Sequence, residues 1–137
     1  MTPQSRRHAG IILIVLPTVM YGGVSLLSLL YNDAQYMQNP LRQNLFRAGH
    51  AHAGVLLILS LVALRYVDEA NLSNTWKNIV RNFIPSAAIL MPAGFFFSVL
   101  KPTATEPNAF IYCTYIGALM LAIGVLTLGI GLVRKSK

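Results

Sequence analysis

The residues best suited to chemistry stand together in one stretch, Arg47-Ala48-Gly49-His50-Ala51-His52-Ala53-Gly54. It sets an arginine and two imidazoles at the mouth of an otherwise apolar run. An ionisable side chain within a membrane span is costly, so it marks a functional site by default. His50 and His52 are two positions apart, which turns them about 200° from each other on an α-helix. They cannot grip one metal ion as an i, i+4 pair would. At most one of them faces the centre of a bundle; the other faces a different helix, a neighbouring subunit or the headgroups. His52 is the deeper of the two. The third histidine, His8, opens the first apolar run beside Arg6 and Arg7 and reads as an interfacial residue.

A lone imidazole with no acid nearby suits an axial haem ligand, because neutral imidazole binds iron and the protein tunes the metal through polarity and access. Ala48, Gly49, Ala51, Ala53 and Gly54 leave room beside such a ligand for a flat macrocycle or for a close helix. Arg47 and Arg42 sit higher, where haem propionates would emerge. At similar depth, later runs offer Ala93-Gly94, the cluster Phe95 to Phe97, and Tyr112, Thr114 and Tyr115. The competing reading keeps the small residues as helix-packing positions. The histidines then hydrogen-bond across the bundle or handle protons.

Composition narrows the choice of fold. The chain has 137 residues, of which 55% are hydrophobic and 11% charged. A soluble domain is about a quarter charged, so a single membrane domain is expected. Four apolar runs, His8 to Tyr31, Leu45 to Val67, Asn78 to Leu100 and Ala109 to Val133, each reach the length of a membrane span. Runs this long and continuous fit helices rather than barrel strands, so the fold class is an all-α, four-helix transmembrane bundle. Arg6-Arg7 ahead of an apolar run resembles a signal peptide. That run continues to Tyr31 without a small-x-small cleavage site, which reads as a retained span.

Pro17, Pro85 and Pro92 fall within spans, where each removes a backbone hydrogen bond. The connections Asn32 to Asn44, Asp68 to Lys77 and Lys101 to Asn108 suit hairpins between antiparallel neighbours. With the N-terminus inside, the inner segments hold Arg6, Arg7, Arg65, Lys77, Arg81, Arg134, Lys135 and Lys137; the outer ones hold Arg42, Arg47 and Lys101. This asymmetry puts both termini in the cytoplasm.

Several functions are set aside. The net charge of +7 comes from residues at the ends of apolar runs, not from a basic patch with interleaved aromatics, so nucleic acid is not a partner. All four acids, Asp33, Asp68, Glu69 and Glu106, fall in expected loops. This argues against a proton-coupled exporter and against a carboxylate-bridged metal site. There is no glycine-rich phosphate loop and no Cys-x-x-Cys, and the single Cys113 excludes an internal disulfide.

Three short motifs carry a resemblance: Arg7-His8-Ala9-Gly10, Ala51-His52-Ala53-Gly54 and Gly94-Phe95-Phe96. In order and spacing they resemble styrene oxide isomerase and, more loosely, hydroxylaminobenzene mutase, small four-span bacterial membrane enzymes. The resemblance implies a homo-oligomer, a trimer, with haem b at subunit interfaces and His52 as the metal ligand. It also implies a bacterial inner-membrane location. The implied activity is a Lewis-acid isomerisation of small apolar molecules, an epoxide-type rearrangement. Where the family pattern has an asparagine, a tyrosine and an acid, this chain has Ile58, Phe96 and Ala88. Tyr112, Tyr115 and His50 are then the remaining candidates for catalytic polar groups, with His50 and Arg47 as further cofactor contacts. The alternative is a non-enzymatic membrane subunit, a haem carrier or sensor, or a small transporter.

Overall fold

Two of the long helices begin where a side-chain cap and a proline coincide. The Thr2 hydroxyl accepts the Ser5 N–H ahead of Pro3, and the Asn39 side chain accepts the Arg42 N–H ahead of Pro40. A side-chain oxygen at the cap satisfies a donor that the helix cannot, and proline at the first position loses nothing by lacking its own N–H. The computed structural model describes residues 1–134. Lys135 and Lys137, which enter the charge asymmetry, lie outside the described residues.

Within the described residues the elements are α1 (Pro3–Asn32), the single turn α2 (Ala34–Met37), α3 (Pro40–Tyr66), α4 (Asn74–Ser98) and α5 (Ile111–Val133). The four long helices are long and apolar enough to cross a membrane. This fits an integral membrane protein built as a four-helix bundle. α1 and α4 continue through Pro17, Pro85 and Pro92. Two boundaries move by five residues, the start of the first span from His8 to Pro3 and that of the second from Leu45 to Pro40. Asn39-Pro40, expected as a turn in the first connection, is the start of α3, so Arg42 is helical rather than in a loop.

α3 and α4 form the centre, with α1 packed chiefly on α3 and α5 chiefly on α4. Ile12, Leu56, Leu57, Leu64, Ala88 and Met91 fill the middle of the bundle. Ala63, Val67, Val80, Ile84 and Leu128 fill one end, and Tyr36, Phe46 and Val99 the other. The outward faces of α1 and α5 carry exposed apolar side chains, among them Ile14, Met20, Val24, Leu119 and Leu126. Such a surface is the lipid-facing side of a membrane bundle.

α4 and α5 approach through small residues. Gly117, Gly124 and Gly131 recur every seven positions and line the buried face of α5. A Cβ at Gly117 would lie 2.7 Å from Met91 Cγ, one at Gly124 would lie 2.6 Å from Ile84 Cγ1, and one at Gly131 would lie 2.5 Å from Leu72 Cγ. Gly94 of α4 returns the contact: its Cβ would stand 2.6 Å from the Thr114 backbone nitrogen. Lipid tails are as apolar as leucine, so helices in a membrane associate by close packing, and missing side chains permit it.

At the end where α1 begins, a polar clasp ties three segments. Arg81 is only 5% exposed, and its Nη2 donates to Asp68 Oδ1 at 2.6 Å. Arg81 Nε donates to the Ser5 hydroxyl at 3.0 Å, and Ser5 donates to Asp68. The Thr2 N–H donates to the second carboxylate oxygen at 2.6 Å. Nearby, the Asn71 N–H donates to the Gly131 carbonyl, so the end of α5 lies at the same face as the start of α1. Burial alone would raise the Asp68 carboxyl. The hydrogen bonds from the Thr2 N–H, Arg81, Ser5 and the Thr2 hydroxyl outweigh it and hold the group at about 2.

Two predictions follow from this packing. Gly94→Ala forces a Cβ against backbone that cannot move aside and is expected to destabilise the folded bundle by about 1–3 kcal/mol. Gly129→Ala, where nothing lies within 4 Å, is expected to be neutral; thermal unfolding in detergent compares the two. For the clasp, an unfolded aspartate titrates near about 3.9, above its folded value. Its stabilisation is therefore complete above that pH and is lost as pH falls towards about 2. Asp68→Asn is expected to lower stability at neutral pH by on the order of 3 kcal/mol and to flatten the acid limb of a stability profile between those two values.

Candidate functional site

The two histidines leave α3 on different sides, as their spacing requires. His50 turns towards α1, where Gly22 and Gly23 form a notch. A Cβ at Gly23 would lie 3.1 Å from His50 Nε2, and one at Gly22 would lie 3.7 Å from Nδ1. The ring fits because those side chains are absent, and it has no hydrogen-bond partner among the described residues. His52 turns towards α4, with its ring centroid 5.1 Å from that of Phe95. Both rings are partly buried.

His52 Nδ1 lies 2.7 Å from the Ala48 carbonyl one turn earlier. A carbonyl only accepts, so in the neutral ring Nδ1 carries the proton and Nε2 keeps its lone pair. Metal-binding histidines are commonly held this way, by a hydrogen bond from the nitrogen that does not bind the metal. Nε2 has no partner among the described residues. His8 makes the same contact, Nδ1 to the Gln4 carbonyl at 2.9 Å, at the opposite end of the bundle.

Of the small residues expected to leave space beside His52, Gly49 has its space taken from within the chain, while a Cβ at Gly54 would meet only Val19, at 3.9 Å. Phe96 fills the site at Gly49, where a Cβ would lie 2.9 Å from the Phe96 ring, and Thr114 fills the site at Gly94. These positions serve the close-helix role. Val55, one turn after His52, is exposed. Among the described residues no group of three or more His, Cys, Asp or Glu side chains could hold a metal ion together.

The other candidates are more widely spread. Arg47 is exposed, its Nε donating to the Gln43 carbonyl and its Nη2 to Asn44 Oδ1. It lies about 140° round the helix from His52 and about 60° from His50. Tyr112 and Tyr115 are 66% and 64% exposed on the outward face of α5, with ring centroids 6.2 Å apart. Ile58 faces outward, Ala88 is buried in the core, and Phe96 packs on Phe46 with centroids 5.2 Å apart. None of these three brings a polar group to His52.

Arg42 has a different role from the expected one of waiting for a propionate. It is 6% exposed and caps the end of α4, with Nε donating to the Val99 carbonyl at 3.1 Å and Nη2 to Leu100. Cations at a helix C-terminus satisfy orphan carbonyls and suit the helix dipole. Its guanidinium carbon also lies 5.6 Å from the Tyr36 ring centroid and 5.1 Å from that of Phe46. Burial pushes the Tyr36 hydroxyl above its ordinary value, against the opposing pull of the Arg47 and Arg42 charges.

Comparison with protein-family models, curated proteins and solved structures finds no match to this chain.

Arg42→Lys keeps the charge but loses the planar fork that reaches two successive carbonyls. It is expected to cost about 1–3 kcal/mol and to raise hydrogen exchange at the α4–α5 connection. Arg47→Lys, on the exposed face, is expected to leave both unchanged.

Proposed function

We propose that this integral membrane protein binds haem b, with His52 as the axial ligand, on the outer edge of α3 and α4. One observation carries the reading. His52 is held by Nδ1 to the Ala48 carbonyl, which leaves an unpartnered Nε2 lone pair on a helix edge walled by Phe95. His50 is fitted into the α1 notch instead, and His8 sits at the far end beside Arg6 and Arg7. The filled glycine sites at Gly49 and Gly94 direct the group outward, where a second copy of the chain or lipid would cover its other face.

Bound ferric haem would supply a Lewis acid to small apolar molecules arriving from the bilayer, the isomerase reading. This chain's own contribution is to hold the imidazole and to keep its surroundings apolar. A second reading, a non-enzymatic haem carrier or sensor, is favoured by one specific feature: Ile58, Ala88 and Phe96 bring no side-chain hydrogen-bonding group of their own, and His52 has no side-chain hydrogen-bond partner among the described residues. Positioned polar groups are what stabilise developing charge in catalysis. For turnover, Tyr112 or Tyr115 would have to come from a neighbouring copy.

The optical spectrum of detergent-purified protein, expressed with ample haem, tests the first step. A Soret band is expected that is lost in His52→Ala and kept in His50→Ala. Colourless wild-type protein, or a band indifferent to His52, overturns the proposal. Turnover of an aryl epoxide by the haem-loaded protein, abolished in Tyr112→Phe or Tyr115→Phe, selects the isomerase; a bound haem without turnover selects the carrier.

A further inference from the structure

A groove of about 230 Å³ opens between the start of α4 and the end of α5, lined by Leu72, Trp76, Thr127, Ile130 and Arg134. It is remote from His52 and belongs to the face that holds the Asp68–Arg81 clasp. Its polar groups are all donors or hydroxyl. The Trp76 indole N–H, the Thr127 hydroxyl and the Arg134 guanidinium have no hydrogen-bond partner among the described residues. Leu72 and Ile130 supply an apolar floor.

Among the described residues, the charge around the groove is uncompensated. Both acids of the connection between α3 and α4 are already engaged, Asp68 by Arg81 and Glu69 by Arg65. Arg6, Arg7 and Arg134 at this face have no carboxylate partner among the described residues. With a guanidinium and an indole N–H unpartnered and no carboxylate among the described residues that line it, the groove offers nothing to an ammonium headgroup and two donors to a phosphate. Thr127 lies two helical turns below Arg134, about 10 Å down the axis. That spread matches a ligand whose phosphate sits at the membrane surface and whose acyl ester sits beneath it. Tryptophan is the side chain that membrane proteins place at this level, and basic clefts between spanning helices suit anionic headgroups.

We propose that this groove between α4 and α5 is a binding site for an anionic phospholipid. Arg134 and Trp76 hold the phosphate, Thr127 donates to an ester carbonyl, and the upper acyl chain lies along Leu72 and Ile130. The site is independent of the reading given for His52.

Native mass spectrometry of the full chain in a neutral detergent, titrated with phosphatidylglycerol or phosphatidylcholine, tests it. Phosphatidylglycerol is expected to bind at least about fivefold more tightly, the worth of one arginine near an anionic surface. Arg134→Gln is expected to remove that preference. Trp76→Phe, which keeps the aromatic bulk, is expected to weaken phosphatidylglycerol binding by a smaller factor, and Arg7→Gln to leave it unchanged. Circular dichroism shows that each variant retains its helices. Equal binding of the two lipids overturns the proposal. So does an equal loss in Arg7→Gln and Arg134→Gln, which would mark a diffuse surface charge. Displacement of the lipid by excess inorganic phosphate would identify a free anion as the ligand and overturn it as well.

Discussion

A guanidinium buried at the edge of an apolar slab has to be neutralised by the protein itself, and the pair Arg81–Asp68 is where this fold meets that demand. The carboxylate stands in the short connection after α3, the guanidinium two turns into α4, and Ser5 and Thr2 at the start of α1. One charged contact therefore fixes three chain segments. A buried ion pair adds little net stability over an apolar replacement, but removing one partner leaves an uncompensated charge. Its effect here is selective: among ways of packing apolar helices, it favours the one that brings these three segments together.

The other end of the bundle solves a related problem with dipoles instead of a carboxylate. Arg42 meets the carbonyls that end α4 and lies over Tyr36 and Phe46. Between the two arginines the contacts are made by shape. Gly94, Gly117 and Gly124 bring α4 and α5 together, and Gly49 receives Phe96. Polar groups set the register at the ends, and missing side chains set the distance in the middle. That division is suited to lipid, where no hydrophobic force pushes apolar helices together.

The spans were legible because long apolar runs are a strong signal, and each of the four overlaps an observed helix closely. The divergence of His50 and His52 was legible from the 3.6-residue turn alone. What escaped the reading depends on partners far apart in sequence. Asp68 looks like a loop acid, and its role exists only because Ser5 and Arg81 converge on it. Yet Arg81 lies inside the apolar run that begins at Asn78. The rule that singled out the histidines, an ionisable group within a span, applied equally to it. Arg42 was placed in a loop because Asn39-Pro40 reads as a turn, when the same pair is also a helix cap and first residue. The seven-residue recurrence of Gly117, Gly124 and Gly131 was present in the sequence, but glycine spacing matters only once a neighbouring helix is known to lie on it.

The filled interior also bears on where chemistry can occur. A bundle with an internal cavity beside His52 could surround a ligand with its own polar groups. In this one Phe96 occupies the space at Gly49, one turn from His52, and His52 itself is partly exposed beside Phe95. The same geometry withholds help from within the chain, since Tyr112 and Tyr115 point outward from α5 rather than towards α3. The polar side chains singled out in the sequence are thus divided among separate faces of the bundle, with His50 against α1, His52 beside Phe95 of α4 and the two tyrosines on the outer face of α5.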